Sequence, residues 1–150
     1  MRLLVVVASK HGSTWELGEA VAGELRAAGH DVDLYAPADA PAPAGYDALV
    51  AGSAVYMMRW MATLNDWLTA HAQEVARIPH AVFSVGLSGG HAVLHEALHP
   101  RSERTFAGKL DIATLSTLER TAVTETQSAD YRDVGAVRAW ARSLPEALAG

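Results

Sequence analysis

Cysteine is absent from this sequence of 150 residues. Its absence removes disulfides, thiolate nucleophiles and cysteine-ligated metal centres together, and it gives no reason to place the chain in an oxidising compartment. A cytoplasmic setting is expected. Basic clusters are also missing: 12 Lys and Arg stand against 17 Asp and Glu, for a formal charge of -5. Such a surface repels a phosphate backbone, so nucleic acid is not expected as a partner. The apolar run Leu3 to Ala8 is too short to cross a bilayer, and polar residues rather than a small-residue cleavage site follow it. No transmembrane segment is expected. The dinucleotide fingerprint G-x-G-x-x-G and the Walker pattern G-x-x-x-x-G-K-[ST] are absent, and Ser9 and Ser13 have no recognisable base at a fixed spacing.

What is present is an alternation of short apolar runs with helical periodicity, in a chain long enough to bury about two thirds of its unfolded surface as one domain. Leu3 to Ala8 reads as a central parallel strand covered on both faces. From Thr14, Leu17, Val21 and Leu25 recur every four residues, with Ala20 and Ala28 beside them, and Gly29 stands where a helix end uses a left-handed residue. Asp31 to Tyr35 alternates like an edge strand, and Pro37, Pro41 and Pro43 make the next stretch a loop. Asp47 to Ser53 is a second buried run, followed by a helix marked by Met61, Leu64, Leu68 and Ala72. Ala81 to Leu87 gives a fourth strand, Thr105 to Leu110 a fifth, and Leu115 to Val123 a short helix. Val137, Trp140, Ala141, Leu144 and Leu148 outline a terminal helix that Asp133 can cap. This pattern is that of an α/β doubly wound parallel sheet in a single domain, residues 1–150.

In such sheets ligands bind beyond the carboxyl ends of the strands. Ser9 to Thr14 occupies that position after the first strand. The first N–H groups of the following helix lack intrahelical partners and carry the positive end of its dipole, Gly12 permits close backbone approach, and Ser9, Ser13 and Thr14 add hydroxyl donors. An anion belongs there, with Lys10 adding long-range attraction; the bland alternative is a hydroxyl-rich turn that only caps the helix. After the third strand, Ala54, Val55, Tyr56, Met57, Met58, Arg59 and Trp60 form an apolar loop on the same edge, suited either to packing on the next helix or to a flat heteroaromatic ligand. Leu87, Ser88, Gly89, Gly90 and His91 follow the fourth strand. Their glycines let backbone approach a ring. Trp60 and Trp67 are open between core anchor, ring contact and interface patch.

ASKHGST, GSAVYMMRW, the FAGKLD segment and the late DYRDVGAVRAWA together resemble the flavodoxin-like proteins, and within them the flavodoxin-domain branch that includes the menaquinone-dependent protoporphyrinogen oxidases. The resemblance covers nearly the whole chain. It implies a flavodoxin-like three-layer sandwich, a five-stranded parallel sheet of order 2-1-3-4-5, and one noncovalent FMN. It also implies that Ser9, His11, Gly12, Ser13 and Thr14 cradle the FMN phosphate, and that Ala54 to Trp60 and Leu87 to His91 flank the two sides of the isoalloxazine, with Tyr56 or Trp60 flat on the ring. The third loop has no Tyr or Trp, which leaves one ring face for a substrate. After FAGKLD the chain is shorter and more mixed in charge than the apolar, basic stretch of the oxidases.

His91, His95 and His99 fall at i, i+4 and i+8 and would share one face of a helix that Pro100 ends. No Cys or Asp completes a metal set, so a solvated or ligand-facing surface is the expectation rather than a metal site. His91 is a candidate to hydrogen-bond the flavin edge or protonate a substrate, and Arg59 to stabilise negative charge on a reduced flavin or to steer an acidic partner. The expected protein is an FMN-dependent oxidoreductase or electron carrier, acting on a small redox substrate or a redox protein partner, with the oligomeric state open. An FMN-free binding or regulatory module on the same fold is the alternative. A signalling receiver is not expected, because the first strand runs into Ser9 and the third into Ser53 where that fold needs acids.

Overall fold

A computed structural model of the chain describes residues 1–86, 92–110, 129, 130 and 132–150. The first strand, β1 (Arg2–Ala8), is buried from Leu3 onward, and its side chains divide between two cores. Leu3, Val5 and Val7 belong to one apolar cluster and Leu4, Val6 and Ala8 to the other. Side chains alternate across a strand with period two, so an unbroken apolar run covers both faces of a sheet. The first cluster takes Leu17, Val21 and Leu25 from α1 (Ser13–Ala27), and Val137, Trp140, Ala141, Leu144 and Leu148 from α4 (Val134–Leu148). The second takes Leu64, Trp67 and Leu68 from α2 (Ala62–Ala70), and Val75 from α3 (Ala72–Arg77). A helix layer therefore covers each face.

Between the layers, β2 (Asp31–Tyr35), β1, β3 (Ala48–Tyr56), β5 (His80–Gly86) and β6 (Ser102–Ala107) lie side by side in that order, all parallel. A short β4 (Arg59–Trp60) pairs antiparallel with β3, so the sheet has six strands rather than the expected five. Two glycines allow the layers to close. A Cβ on Gly52 would stand 2.2 Å from the Phe83 ring, and one on Gly18 would stand 2.7 Å from Val7 Cγ2. Phe83 uses that room to meet Trp140 and Phe106, with ring centroids 5.8 and 6.3 Å away. The long loop between β2 and β3 is pinned by Tyr46, which is buried and donates its hydroxyl to Asp33 at 2.7 Å.

Two segments differ from the sequence expectation. The third strand does not stop at Ser53 but continues to Tyr56 and folds back through Met57 and Met58 into β4, so the expected apolar loop is a β-hairpin. The fifth strand begins at Ser102 rather than Thr105 and ends at Ala107. Beyond Gly108, β7 (Lys109–Leu110) leaves the main sheet and pairs antiparallel with β8 (Ala129–Asp130). The early start escaped notice because β6 is an edge strand, and Glu103 and Arg104 are exposed and charged as edges commonly are. The expected helix Leu115 to Val123 lies outside the described residues.

Candidate functional site at the carboxyl edge of the sheet

Ala8 at the end of β1 is paired with Ser53, and Ala54 with Val85, so the chain leaves β1, β3 and β5 along one edge. The connection after β1 goes to the α1–α4 layer and the one after β3 to the α2–α3 layer. The gap between β1 and β3 is thus a topological switch point, where open α/β sheets form their binding crevice.

On one side of that gap the turn Ser9 to Gly12 leads into α1. Gly12 is the N-cap at φ +87°, a left-handed conformation that costs glycine little, and no side chain caps the helix. The first intrahelical bond runs from Glu16 N–H to Gly12 carbonyl at 3.1 Å. The N–H groups of Ser13, Thr14 and Trp15 therefore have no acceptor within the helix. Ser9 Oγ accepts the Gly12 N–H at 3.1 Å, which fixes the turn and leaves the Ser9 hydroxyl its own proton to donate. Lys10, His11 and Gly12 are exposed and Ser13 is half-buried, whereas Thr14 is buried beneath them. A Cβ built on Gly12 meets nothing within 4 Å, so the space over the turn is open. Uncapped amides, hydroxyls, a helix dipole and an open approach fit a phosphate group.

The hairpin stands on the other side. Val55 pairs with Trp60 and Tyr56 with Arg59, and Met57 and Met58 occupy the turn at φ +49° and +65°. Two positive φ angles in succession mark the type I′ turn, which prefers Asn and Gly; two methionines there are strained. Buried serines hold the hairpin down. Ser53 Oγ accepts the Met61 N–H at 3.0 Å, and Ser84 Oγ accepts Trp60 Nε1–H at 2.8 Å. Trp60 is only 3% exposed, so its indole belongs to the core and not to a ring-stacking surface. Tyr56, Met57 and Met58 are exposed, and Lys10 Nζ lies 5.4 Å from the centre of the Tyr56 ring, bridging the two sides of the gap. Arg59 is exposed on the hairpin beside them. Trp67, the other open tryptophan, is buried in the α2–α3 layer.

The structure thus brings Ser9 to Thr14 together with Ala54 to Arg59, and separates Trp60 from them. Leu87, Ser88, Gly89, Gly90 and His91 lie outside the described residues. The expected histidine face does not form, because residues 92–101 contain no helix. Pro100 and the pairing needs of the segment break it up: Val93 N–H donates to Met58 carbonyl, and Arg101 N–H to His80 carbonyl. His95 accepts the Ala97 N–H at Nδ1, so Nε2 carries the proton that it gives to Thr69 Oγ1. The backbone N–H of His99 donates to His80 Nε2 at 2.8 Å, which places the single ring proton of the buried His80 on Nδ1, donated to Ile78 carbonyl at 2.9 Å. Burial pushes the His80 imidazole below its ordinary range. Among the described residues no group of three His, Asp or Glu could hold a metal ion, and no helix is long and apolar enough to cross a membrane.

Ser53, Ser84 and His80 escaped the sequence reading, although polar residues inside otherwise apolar runs were the available signal. Arg132 escaped it as well. Its guanidinium forks onto Asp130 at 2.9 and 2.8 Å and reaches Glu16 and the Ser13 carbonyl on α1, and the bonds to Asp130 and Glu16 push its already high pKa further up.

The profile of the flavodoxin domain matches residues 4–133. The chain belongs to this family. Comparison with curated protein sequences gives no match. Among solved structures, a flavodoxin from the domain Archaea aligns with a TM-score of 0.64 at 13% identity, over 99% of both chains. Flavodoxin 1 from Bacillus cereus aligns at 0.64 and 15% identity, over 99% of this chain and all of that one, at 100%. The flavodiiron core from Synechocystis sp. aligns at 0.67 and 16% identity, over 99% of this flavodoxin domain but 36% of that chain. At these identities the likeness is one of fold.

Proposed function

We propose that this flavodoxin domain holds one noncovalent FMN at the β1–β3 switch point and works as an FMN-dependent redox protein. The observation that carries the reading is the start of α1: an uncapped helix terminus behind a glycine at φ +87°, open to the edge where Tyr56 stands. FMN, when bound, supplies reversible one- or two-electron transfer. Ser9, His11, Gly12, Ser13 and Thr14 would hold its phosphate through backbone amides and hydroxyls, His11 by backbone and Thr14 from beneath. Tyr56 is the aromatic left to meet the ring once Trp60 is assigned to the core. Arg59 would place positive charge beside it, and His91 would serve from the third loop as hydrogen-bond or proton donor.

Within the family we read the chain as belonging to the branch that includes the menaquinone-dependent protoporphyrinogen oxidases, on the strength of ASKHGST and GSAVYMMRW. A third loop without Tyr or Trp supports a small organic substrate reaching one ring face, and thus an oxidoreductase over a pure electron carrier for a protein partner. A cytoplasmic setting is the default we adopt, since a chain without cysteine gives no reason to place it in an oxidising compartment. The test is a titration of the purified protein with FMN, followed by flavin absorbance, with riboflavin as the control that lacks the phosphate. FMN should bind tighter by roughly two orders of magnitude, as several hydrogen bonds to a charged group imply. Equal affinity for the two removes the phosphate site; binding of neither leaves an FMN-free module.

A further inference from the structure

The first turn of α1 carries a carboxylate that ought to work against an anionic ligand. Glu16 stands four residues after Gly12, on the same face of the helix, and is 61% exposed. Left alone, such a carboxylate stabilises the helix by facing its positive pole, and it opposes any second anion drawn to the same pole. It is not left alone. Arg132 comes in from just before α4, with its side chain only 12% exposed, and Nη1 donates both to Glu16 Oε2 and to the Ser13 carbonyl. The remaining donors Nε and Nη2 fork onto Asp130. The guanidinium is therefore held against the first turn of α1 by acceptors on both sides, 116 positions away from Glu16 in sequence.

We propose that Arg132 is a positioning residue for the anion site at the α1 terminus, which ties back the Glu16 carboxylate and offsets its charge so that a phosphate can occupy the helix pole. This inference rests on the phosphate reading of that terminus. Arg132 does not touch the anion; it acts through Glu16 and through the placement of Ser13. A purely structural strap between α1 and the segment before α4 would look the same in the fold, but it would behave differently when the carboxylate is removed.

The experiment measures the ratio of riboflavin to FMN dissociation constants for five proteins: wild type, Arg132→Gln, Arg132→Lys, Glu16→Gln, and Arg132→Gln with Glu16→Gln. Arg132→Gln should lower the preference for FMN about tenfold, and Arg132→Lys should retain most of it, as expected when a charge beside a helix terminus is uncovered. Glu16→Gln should raise the preference about threefold, and the double variant should return to the wild-type value or above. A double variant that stays as weak as Arg132→Gln makes Arg132 a structural strap and overturns the inference. Should Arg132→Gln not fold, Glu16→Gln decides alone, since an unchanged ratio there overturns the inference too. A wild type without preference for FMN overturns the phosphate reading and this inference with it, whereas a preference equal in wild type and folded Arg132→Gln overturns only the inference.

Discussion

Two helices of equal length, 15 residues each, lie side by side on one face of the sheet and start in opposite ways. At α4, Asp133 has an extended backbone and its carboxylate accepts the Ala136 N–H at 3.0 Å. At α1, Gly12 holds a left-handed φ and contributes no side chain. A side-chain cap contributes about 1 kcal/mol over alanine but only about a few tenths over glycine, so α1 leaves its first amides without a side-chain cap at little cost. The difference is informative because shared packing and Glu24 ion pairs to Arg138 and Arg142 expose both helices to the same structural demands. Only the uncapped one begins at the switch point.

The strongest way to break this comparison is to give α1 the negative charge that α4 already has. Ser13→Asp places a carboxylate at the first helical position, where the dipole favours it by about 0.5 kcal/mol. Ligand-free protein should melt no lower than wild type in calorimetry, while FMN affinity drops on the order of 30-fold or more through like-charge repulsion across the terminus. Riboflavin affinity should hold. A variant that keeps its FMN affinity would mean that the phosphate lies elsewhere.

The opposite edge of the sheet sharpens the contrast, because there both ring nitrogens of a buried histidine are matched. His80 opens β5 with Nδ1–H on Ile78 carbonyl and Nε2 filled by His99 N–H, and the charges nearest to it are His99 and Arg101. Its folded pKa lies below the ordinary 6.5, with burial the main cause. The folded state thus binds fewer protons than the unfolded one, so the contribution of His80 is intact above pH 6.5 and is lost as the pH falls below that value toward the folded pKa. One proton gives a slope of at most about 1.4 kcal/mol per pH unit. Urea titrations from pH 7.5 to 5 should show that acid-side fall, and His80→Gln, which can still accept from His99, should flatten it. An equally steep fall in the variant would assign the sensitivity to another group.

Asp133→Ala reduces α4 to the condition of α1. It should cost about 1 kcal/mol in denaturant titration and leave the FMN-to-riboflavin preference within about twofold. A change in that preference would mean that the two helix starts are functionally linked beyond the Arg132 contact.

Much of this arrangement is legible in the sequence, and the illegible parts share a physical cause. The strand Leu3 to Ala8, the periodicity of Leu17, Val21 and Leu25, the stop at Gly29 and the cap at Asp133 are local signals with local outcomes. The hairpin was not legible, since Met57 and Met58 contradict the turn preferences by which a type I′ hairpin is recognised, and of the bonds that hold it one comes from Ser53, earlier in β3, and the other from Ser84 on β5. The place of Trp60 depends on Ser84, 24 positions away. The expected helix through His95 and His99 failed because backbone bonds to Met58 and His80 outweigh a periodicity of side chains. Sequence spacing carries no information about such distant partners.

Gly12 and Met58 finally allow a comparison within the open edge itself, because both sit at positive φ and only one is a glycine. Met58 is 62% exposed and its carbonyl, not its side chain, binds Val93 N–H, so Met58→Gly loses little burial and keeps the main-chain bond. It relieves a left-handed strain on the order of 1 kcal/mol and partly offsets that gain by freeing the unfolded chain. The net expectation is a stabilisation of about 0.5 kcal/mol, read from the urea midpoint at constant slope. Gly12→Ala should do the reverse by a similar amount, since alanine must accept a φ that glycine takes freely. If Met58→Gly instead lowers stability, the methionine side chain holds the hairpin through contacts made on the exposed face. The strain at Met57 and Met58 would then be compensated locally, and not carried by Ser53 and Ser84 beneath them.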